Sequence, residues 1–207
     1  MIRTLKNILR PLLRKFRSKH SRPIYLEKSP PGLKIHLGSG DVNLQGWVNI
    51  DARPSAHIHL QSIDFHLNEF SDTSISEIYL CHVLEHFDFD EGVALLTNLK
   101  NKLISGGCLR ISVPDFDQLI QVYESGGRDL KKIQYALMGG QDYEYNFHRS
   151  VFNRESLSEL LERLEFRVIK HWDSREDFGV SIGDWSEGKF DTPQGAIPIS
   201  LNLKAYK

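Results

Sequence analysis

Two periodicities run through the 207 residues, and the switches between them mark out the elements. Period-two alternation over residues 34–38 and 47–51 predicts two short strands, the first ending in glycine and the second in an acid. His57-Ile-His-Leu60 predicts a third short strand, with Ser62-Ile-Asp-Phe65 at its carboxyl end. Glu77-Ile-Tyr-Leu-Cys-His82 reads as a fully buried strand, from which Val83-Leu-Glu-His-Phe87 leads away. Helical spacing of Val93, Leu95, Leu96, Leu99 and Leu103 then predicts a helix over 90–104 that stops at Gly106-Gly107. Residues 108–113 form the next strand, capped by Pro114-Asp115. Helical patterning returns over 115–125 and 129–138, breaks at Gly139-Gly140, and resumes after Asn153 with Leu157, Leu160, Leu161 and Leu164 on one side. Residues 166–172 and 197–206 predict the last two strands, separated by a polar, Gly-rich loop. Strands alternating with helices imply an α/β fold whose parallel sheet is covered on both faces.

The N-terminal stretch is different. Ile2, Leu5, Ile8, Leu9, Leu12, Leu13 and Phe16 form an apolar helical stripe, kinked or split at Pro11, with basic residues mostly opposite. It reads as an interfacial helix on an anionic membrane, as an arm packed on its own domain or a partner, or as an organellar targeting peptide. Ser29-Pro-Pro-Gly32 is a linker, which divides the chain into residues 1–32 and a domain at 33–207.

Charge sharpens that division. Residues 1–25 carry eight Lys/Arg and no acid, so the whole-chain net charge of −1 leaves −9 on the remainder. A body this acidic lacks the basic footprint that nucleic-acid phosphates require. A content of 40% hydrophobic and 26% charged residues is that of an ordinary soluble globular protein, and no apolar run is long enough to span a membrane. Cys81 and Cys108, each inside a predicted strand, suggest neither a zinc site nor a disulfide framework, and a reducing, cytoplasmic setting follows.

The chemistry starts at Gly38-Ser-Gly40. A strand ending in glycines, beside a second strand ending in Asp51, is how a parallel sheet builds a nucleotide pocket: the backbone approaches the ligand and the acid takes ribose hydroxyls. The dinucleotide fingerprint needs a third glycine where Asn43 stands, and an acid about 20 residues on. Only residues 39–46 separate the two predicted strands, too few for a full helical crossover. Both points exclude a hydride-transferring dinucleotide enzyme.

Four runs in order then carry a resemblance: His36-Leu-Gly-Ser-Gly-Asp41, Gly46-Trp-Val-Asn-Ile-Asp51, His82-Val-Leu-Glu-His-Phe87 and Ser105-Gly-Gly-Cys-Leu-Arg-Ile-Ser-Val-Pro-Asp115. Together they resemble the class I S-adenosylmethionine-dependent methyltransferases. More narrowly, they resemble a bacterial, type 11-like subgroup with a compressed first crossover. The likeness covers about residues 33–172, and Ser200-Leu-Asn-Leu-Lys-Ala-Tyr206 fits the family's antiparallel strand. It implies a Rossmann-like, mostly parallel sheet and S-adenosyl-L-methionine as cofactor. It further implies that Gly38, Ser39 and Gly40 lie under the methionine moiety, that Asp51 binds the ribose, that Asp64 and Phe65 flank the adenine, and that His82 and Val83 wall the pocket. The family often places an acid near the start of the first strand; here that region reads Lys34-Ile-His36.

Methyl transfer to a hydroxyl also needs orientation and a base. His86 as general base and Asp115 as the orienting group are candidates at neighbouring strand ends, against the alternatives that Glu85 and His86 tether the next helix and that Asp115 is its N-cap. His148, in the polar aromatic loop Tyr143-Glu-Tyr-Asn-Phe-His-Arg149, is the third candidate, with Tyr143, Tyr145, Asn146 and Arg149 as further lining. No metal site is expected, because the histidines show no ligand spacing along one helix; Asp88-Phe-Asp90 and Asp115-Phe-Asp117 read as solvated helix starts. The expected acceptor is a small molecule or glycan, lipid-linked where residues 2–22 hold a membrane.

Overall fold

A computed structural model describes residues 32–207, so the basic stretch at 2–22 lies outside the described residues. In chain order the strands are β1 (Lys34–Leu37), β2 (Val48–Asp51), β3 (Leu60–Gln61), β4 (Ile75–Cys81), β5 (Leu103–Pro114), β6 (Arg167–His171), β7 (Lys189–Thr192), β8 (Gly195–Pro198) and β9 (Ser200–Tyr206). Seven of them form one sheet in the order β3-β2-β1-β4-β5-β9-β6, and β7 pairs with β8 as a separate hairpin. Neighbours from β3 to β5 are parallel, and β9 runs antiparallel to both β5 and β6. The expected α/β sheet with an antiparallel last strand is therefore present.

Alternation decides what each face holds. Ile35, Leu37, Ile78, Leu80, Leu109, Ile111, Leu201 and Leu203 share one buried core with Leu95, Leu96 and Leu99 of helix α1 (Phe89–Lys102). Each such side chain stabilises by about 1.5–3 kcal/mol when removed from water. Asp88 and Glu91 close a capping box that starts α1. The intervening positions face the other way, and there Tyr79 packs among Trp47, Trp172 and Phe178. Arg110 and Lys204, on the same side, pair with Asp177. Among the described residues no helix occurs between β1 and β4, so short elements and loops cover this face. The first crossover, residues 38–47, is a turn, as its length requires.

Beyond the carboxyl end of β5 sit helices α2 (Phe116–Ser125) and α3 (Lys131–Met138); α4 (Arg154–Arg163) returns to the main core, and α5 (Ser174–Phe178) follows β6. Leu119, Val122, Ile133, Ala136 and Ile199 make a second, smaller core against Phe190 and Ile197 of the hairpin. This cap stands over the strand ends where ligands bind in open α/β sheets.

Three expectations change. Gly106-Gly107 does not end α1, which stops at Lys102 and passes straight into β5. Ile75 pairs with Leu103 and Glu77 with Cys108, so residues 104–107 bulge out of the ladder and the glycines serve that bulge. The strand expected at 197–206 is two strands, because residues up to Pro198 pair with β7 while the main-sheet ladder begins at Ser200. Part of the polar loop is accordingly the β7–β8 hairpin. The third strand is shorter than expected and lies at Leu60–Gln61.

Candidate functional site

The strand order reverses at β1, from which the chain runs outward to β2 and β3 and then returns to β4. At that edge Gly38 N and Ser39 N both donate to Ile50 O, at 2.8 and 3.1 Å, which locks the turn onto the end of β2. Gly40 N donates to Asp51 Oδ2 at 2.8 Å, and Arg53 N donates to Oδ1 at 2.8 Å. Asp51 is thus held by its own loop, with lone pairs remaining on each oxygen. His57 Nε2 donates to Gly40 O at 3.0 Å. Gly38 has φ +66°, and a Cβ there would stand 2.2 Å from Val83 Cγ2, so glycine is required on two counts. Ser39 is buried and its Oγ has no hydrogen-bond partner.

The second wall is built from residues 82–86 and the loop after Gly139-Gly140. His82 has φ +53°, a strained conformation for a side chain of this size. It is fixed by His82 N donating to Ser112 O and by its ring, whose Nε2 lies 2.7 Å from Ser200 Oγ. Ser200 Oγ donates to Trp185 O, so Nε2 of His82 carries the proton and Nδ1 is a lone pair. That Nδ1 stands 3.4 Å from Glu85 Oε1. Glu85 is 1% exposed, and neither of its carboxylate oxygens has a hydrogen-bond partner. Burial pushes its carboxyl up to about 8.

The loop is pinned to this segment. Arg149 N and Ser150 N both donate to Glu85 O, at 2.7 and 3.1 Å, and the Arg149 guanidinium bridges Asp88 and Glu91. His86 Nδ1 donates to Phe147 O at 3.2 Å, and its ring meets that of His148 edge-on at 4.8 Å. His148 Nε2 stands 3.8 Å from Glu85 Oε1. Burial lowers all three histidines: His82 to about 3, with His148 and His86 adding to the effect, His148 to about 4, with His86 adding, and His86 in the same direction. The loop's other end reaches the first wall, where the Arg53 guanidinium lies 5.3 Å from the Tyr143 ring.

The structure therefore joins Gly38, Ser39, Gly40, Asp51 and Val83 on one wall, and His86 with His148 on the other. The remaining candidates stand as follows. The His82 ring points across the end of β5 to β9, away from β1. Asp64 is exposed and accepts from His66 N, while Phe65 is in the main core with its ring near that of Phe87. Asp115 is the N-cap of α2, accepting from Asp117 N, with its own N bonded to Ile199 O. It makes no hydrogen bond to His86, and burial raises its carboxyl above the ordinary value. Glu85 is the residue sequence reasoning left out of the site. An acid inside Val-Leu-Glu-His-Phe, amid apolar neighbours on a chain leaving a buried strand, was the available signal. Spacing along one helix gave no metal site, yet the fold brings ligand atoms of Glu85, His86 and His148 within 4.8 Å of one another.

No family model and no curated protein sequence matches the chain. Solved structures do. An S-adenosylmethionine-dependent methyltransferase from Archaeoglobus fulgidus aligns over 99% of this chain and 94% of its own, with 16% identity and a TM-score of 0.53. The 1,6-didemethyltoxoflavin-N1-methyltransferase of Burkholderia thailandensis, solved with bound 1,6-didemethyltoxoflavin and S-adenosylhomocysteine, aligns over 88% and 72%, with 13% identity and a TM-score of 0.50. A methyltransferase of Methanosarcina mazei aligns over 84% and 91%, with 16% identity and a TM-score of 0.50. At these identities the likeness establishes the fold: a Rossmann-like, mostly parallel sheet of the class I methyltransferase type.

Proposed function

We propose that this chain is an S-adenosylmethionine-dependent methyltransferase acting on a hydroxyl of a small molecule or glycan. The observation that carries the reading is the buried, unpartnered Ser39 Oγ, set in the glycine turn beside Asp51 at the switch point of this sheet. Its neighbours fit the cofactor. Backbone at Gly38 and Gly40 admits close approach, the remaining Asp51 lone pairs suit ribose hydroxyls, and Val83 closes the wall behind Gly38. Ser39 Oγ supplies a polar contact for the methionine end, in a chain whose β1 begins Lys34-Ile-His36 and whose His36 is buried against Asn49 instead. Bound there, S-adenosylmethionine would bring a methyl group already activated as a sulfonium.

The chain's own share is to hold, orient and deprotonate the acceptor. The loop from Gly139 to Ser150 roofs the space between Arg53 and Glu85, which shields the reacting atoms from water. His86 and His148, held neutral by burial, present ring nitrogens able to take the hydroxyl proton. The acidic body argues against a nucleic-acid acceptor, and the basic stripe at residues 2–22 favours a lipid-linked sugar at a membrane surface.

Transfer of labelled methyl from S-adenosylmethionine to a panel of sugar nucleotides and lipid-linked glycans tests the reading. The expected result is incorporation into at least one glycan hydroxyl, and incorporation only into nitrogen or nucleic acid would refute the acceptor class. Deleting residues 2–22 is expected to reduce both vesicle binding and methylation of lipid-linked acceptors; unchanged values would remove the membrane from the account.

A further inference from the structure

Five acceptor atoms converge in the second wall: both Glu85 oxygens, and one ring nitrogen from each of His82, His86 and His148. His82 donates to Ser200 Oγ and His86 Nδ1 donates to Phe147 O, which leaves a lone pair on the other ring nitrogen of each, and His148 Nε2 stands 3.8 Å from Glu85 Oε1. Histidines with the far N–H on a fixed oxygen, as His82 and His86 have, are oriented as metal ligands are. Beside Glu85 and His148 a cavity of about 10 Å³ reaches Ser150, whose buried Oγ also has no partner; His86 stands outside its lining, next to His148. That volume suits a single ion or a single water.

Geometry favours the ion: neither Glu85 oxygen has a hydrogen-bond partner, although ring nitrogens of His82 and His148 stand 3.4 and 3.8 Å from Oε1, a spacing of ligand atoms around a common point. A buried carboxylate with no partner is costly, and a divalent cation removes the whole deficit at once. We propose that Glu85, His86 and His148 bind a divalent first-row transition ion, with His82 flanking the site through Nδ1. Two imidazoles and one carboxylate are a borderline nitrogen and oxygen set that suits zinc, iron, cobalt or nickel better than magnesium or calcium. Ligands on one ion stand at most about 4.2 Å apart, twice a metal–nitrogen bond. The ligand atoms lie within 4.8 Å, so loading draws a ring inward by a fraction of an ångström. Three protein ligands leave a coordination position open. With the ion bound, the coordinating nitrogens of His86 and His148 are no longer free to take a proton, so on the methyltransferase reading the open position would anchor the acceptor oxygen in place of that base; binding of the ion does not rest on that reading.

The test uses the full chain, stripped with a chelator and equilibrated with Zn²⁺ or Co²⁺ alone, with no methyl donor present. The expected result is about one equivalent of metal retained, and Co²⁺ d–d bands of a nitrogen and oxygen site. Glu85→Gln and His148→Ala should each weaken binding by roughly tenfold or more. Glu165→Gln, at the exposed pair with Lys100, should leave it unchanged. A second readout is melting temperature, which metal should raise in wild type and not in Glu85→Gln, an isostere that keeps the packing. Substoichiometric retention by wild type, or wild-type affinity in both ligand variants, overturns the site. Because no methyl donor is present, that failure is distinct from a failure to bind S-adenosylmethionine.

Discussion

Along residues 38–51 the polar groups satisfy one another, whereas at Glu85 they face one another unpaired. In the first region Asp51 takes Gly40 N and Arg53 N, Ile50 O takes two turn amides, and the buried side-chain atom left over is Ser39 Oγ. In the second, an enclosed acid has no hydrogen-bond partner on either oxygen, and ring nitrogens of His82 and His148 stand 3.4 and 3.8 Å from Oε1. The first region is pre-organised and needs a ligand to complete one hydroxyl. The second is electrostatically incomplete, and its ligand must bring positive charge. One loop, residues 139–150, touches both, through Tyr143 at Arg53 and Arg149 at Glu85.

The contrast is broken most severely at Gly38. Gly38→Ala combines a positive φ with a Cβ inside the radius of Val83, and should destabilise the chain by about 3–4 kcal/mol in urea unfolding. Adding Val83→Ala should recover the steric part and leave the backbone part, about 1–2 kcal/mol. A double variant no better than the single one would mean that Val83 does not set the approach of the turn.

Acid attacks the first region through His36. It is 1% exposed, and burial lowers it to about 4, against a hydrogen bond with Asn49 and the charges of Asp184 and Asp51, which act upward. Its folded value lies below the unfolded one, so its contribution is intact above about pH 6.5 and is lost as pH falls toward 4. The loss should reach on the order of 3 kcal/mol, and His36→Gln should flatten the stability profile over that window by a similar amount. An identical profile in the variant would assign the acid sensitivity elsewhere.

Removing the acid of the second region should not destabilise the chain. In metal-stripped protein, Glu85→Gln removes a buried acid without a partner and should leave stability equal or raise it by about 1 kcal/mol. A fall of several kcal/mol would mean that Glu85 is paired in solution.

The two regions also differ in how far the sequence exposes them. Strand, glycine turn and Asp51 lie within eighteen consecutive residues, 34–51, and local alternation plus turn chemistry is enough to read them. The second wall joins Glu85 to His148, residues brought together by a loop that folds back over another strand's end, and no local pattern encodes that return. Asp115 shows the complementary ambiguity: an acid after a strand is equally good as a cap and as a catalyst, and the local pattern does not show that its side chain caps α2 at Asp117 N. The β7–β8 hairpin was hidden because its burial is partial and its core partner, the α2–α3 face, is distant in sequence.

The central claim is that the first region binds S-adenosylmethionine, and calorimetric titration with S-adenosylhomocysteine tests it most directly. One-to-one binding by wild type is expected, weakened roughly tenfold to a hundredfold in Asp51→Ala, whose lost carboxylate frees the Gly40 amide and removes the ribose acceptor. No heat with wild type, or equal affinity in Asp51→Ala, would contradict it.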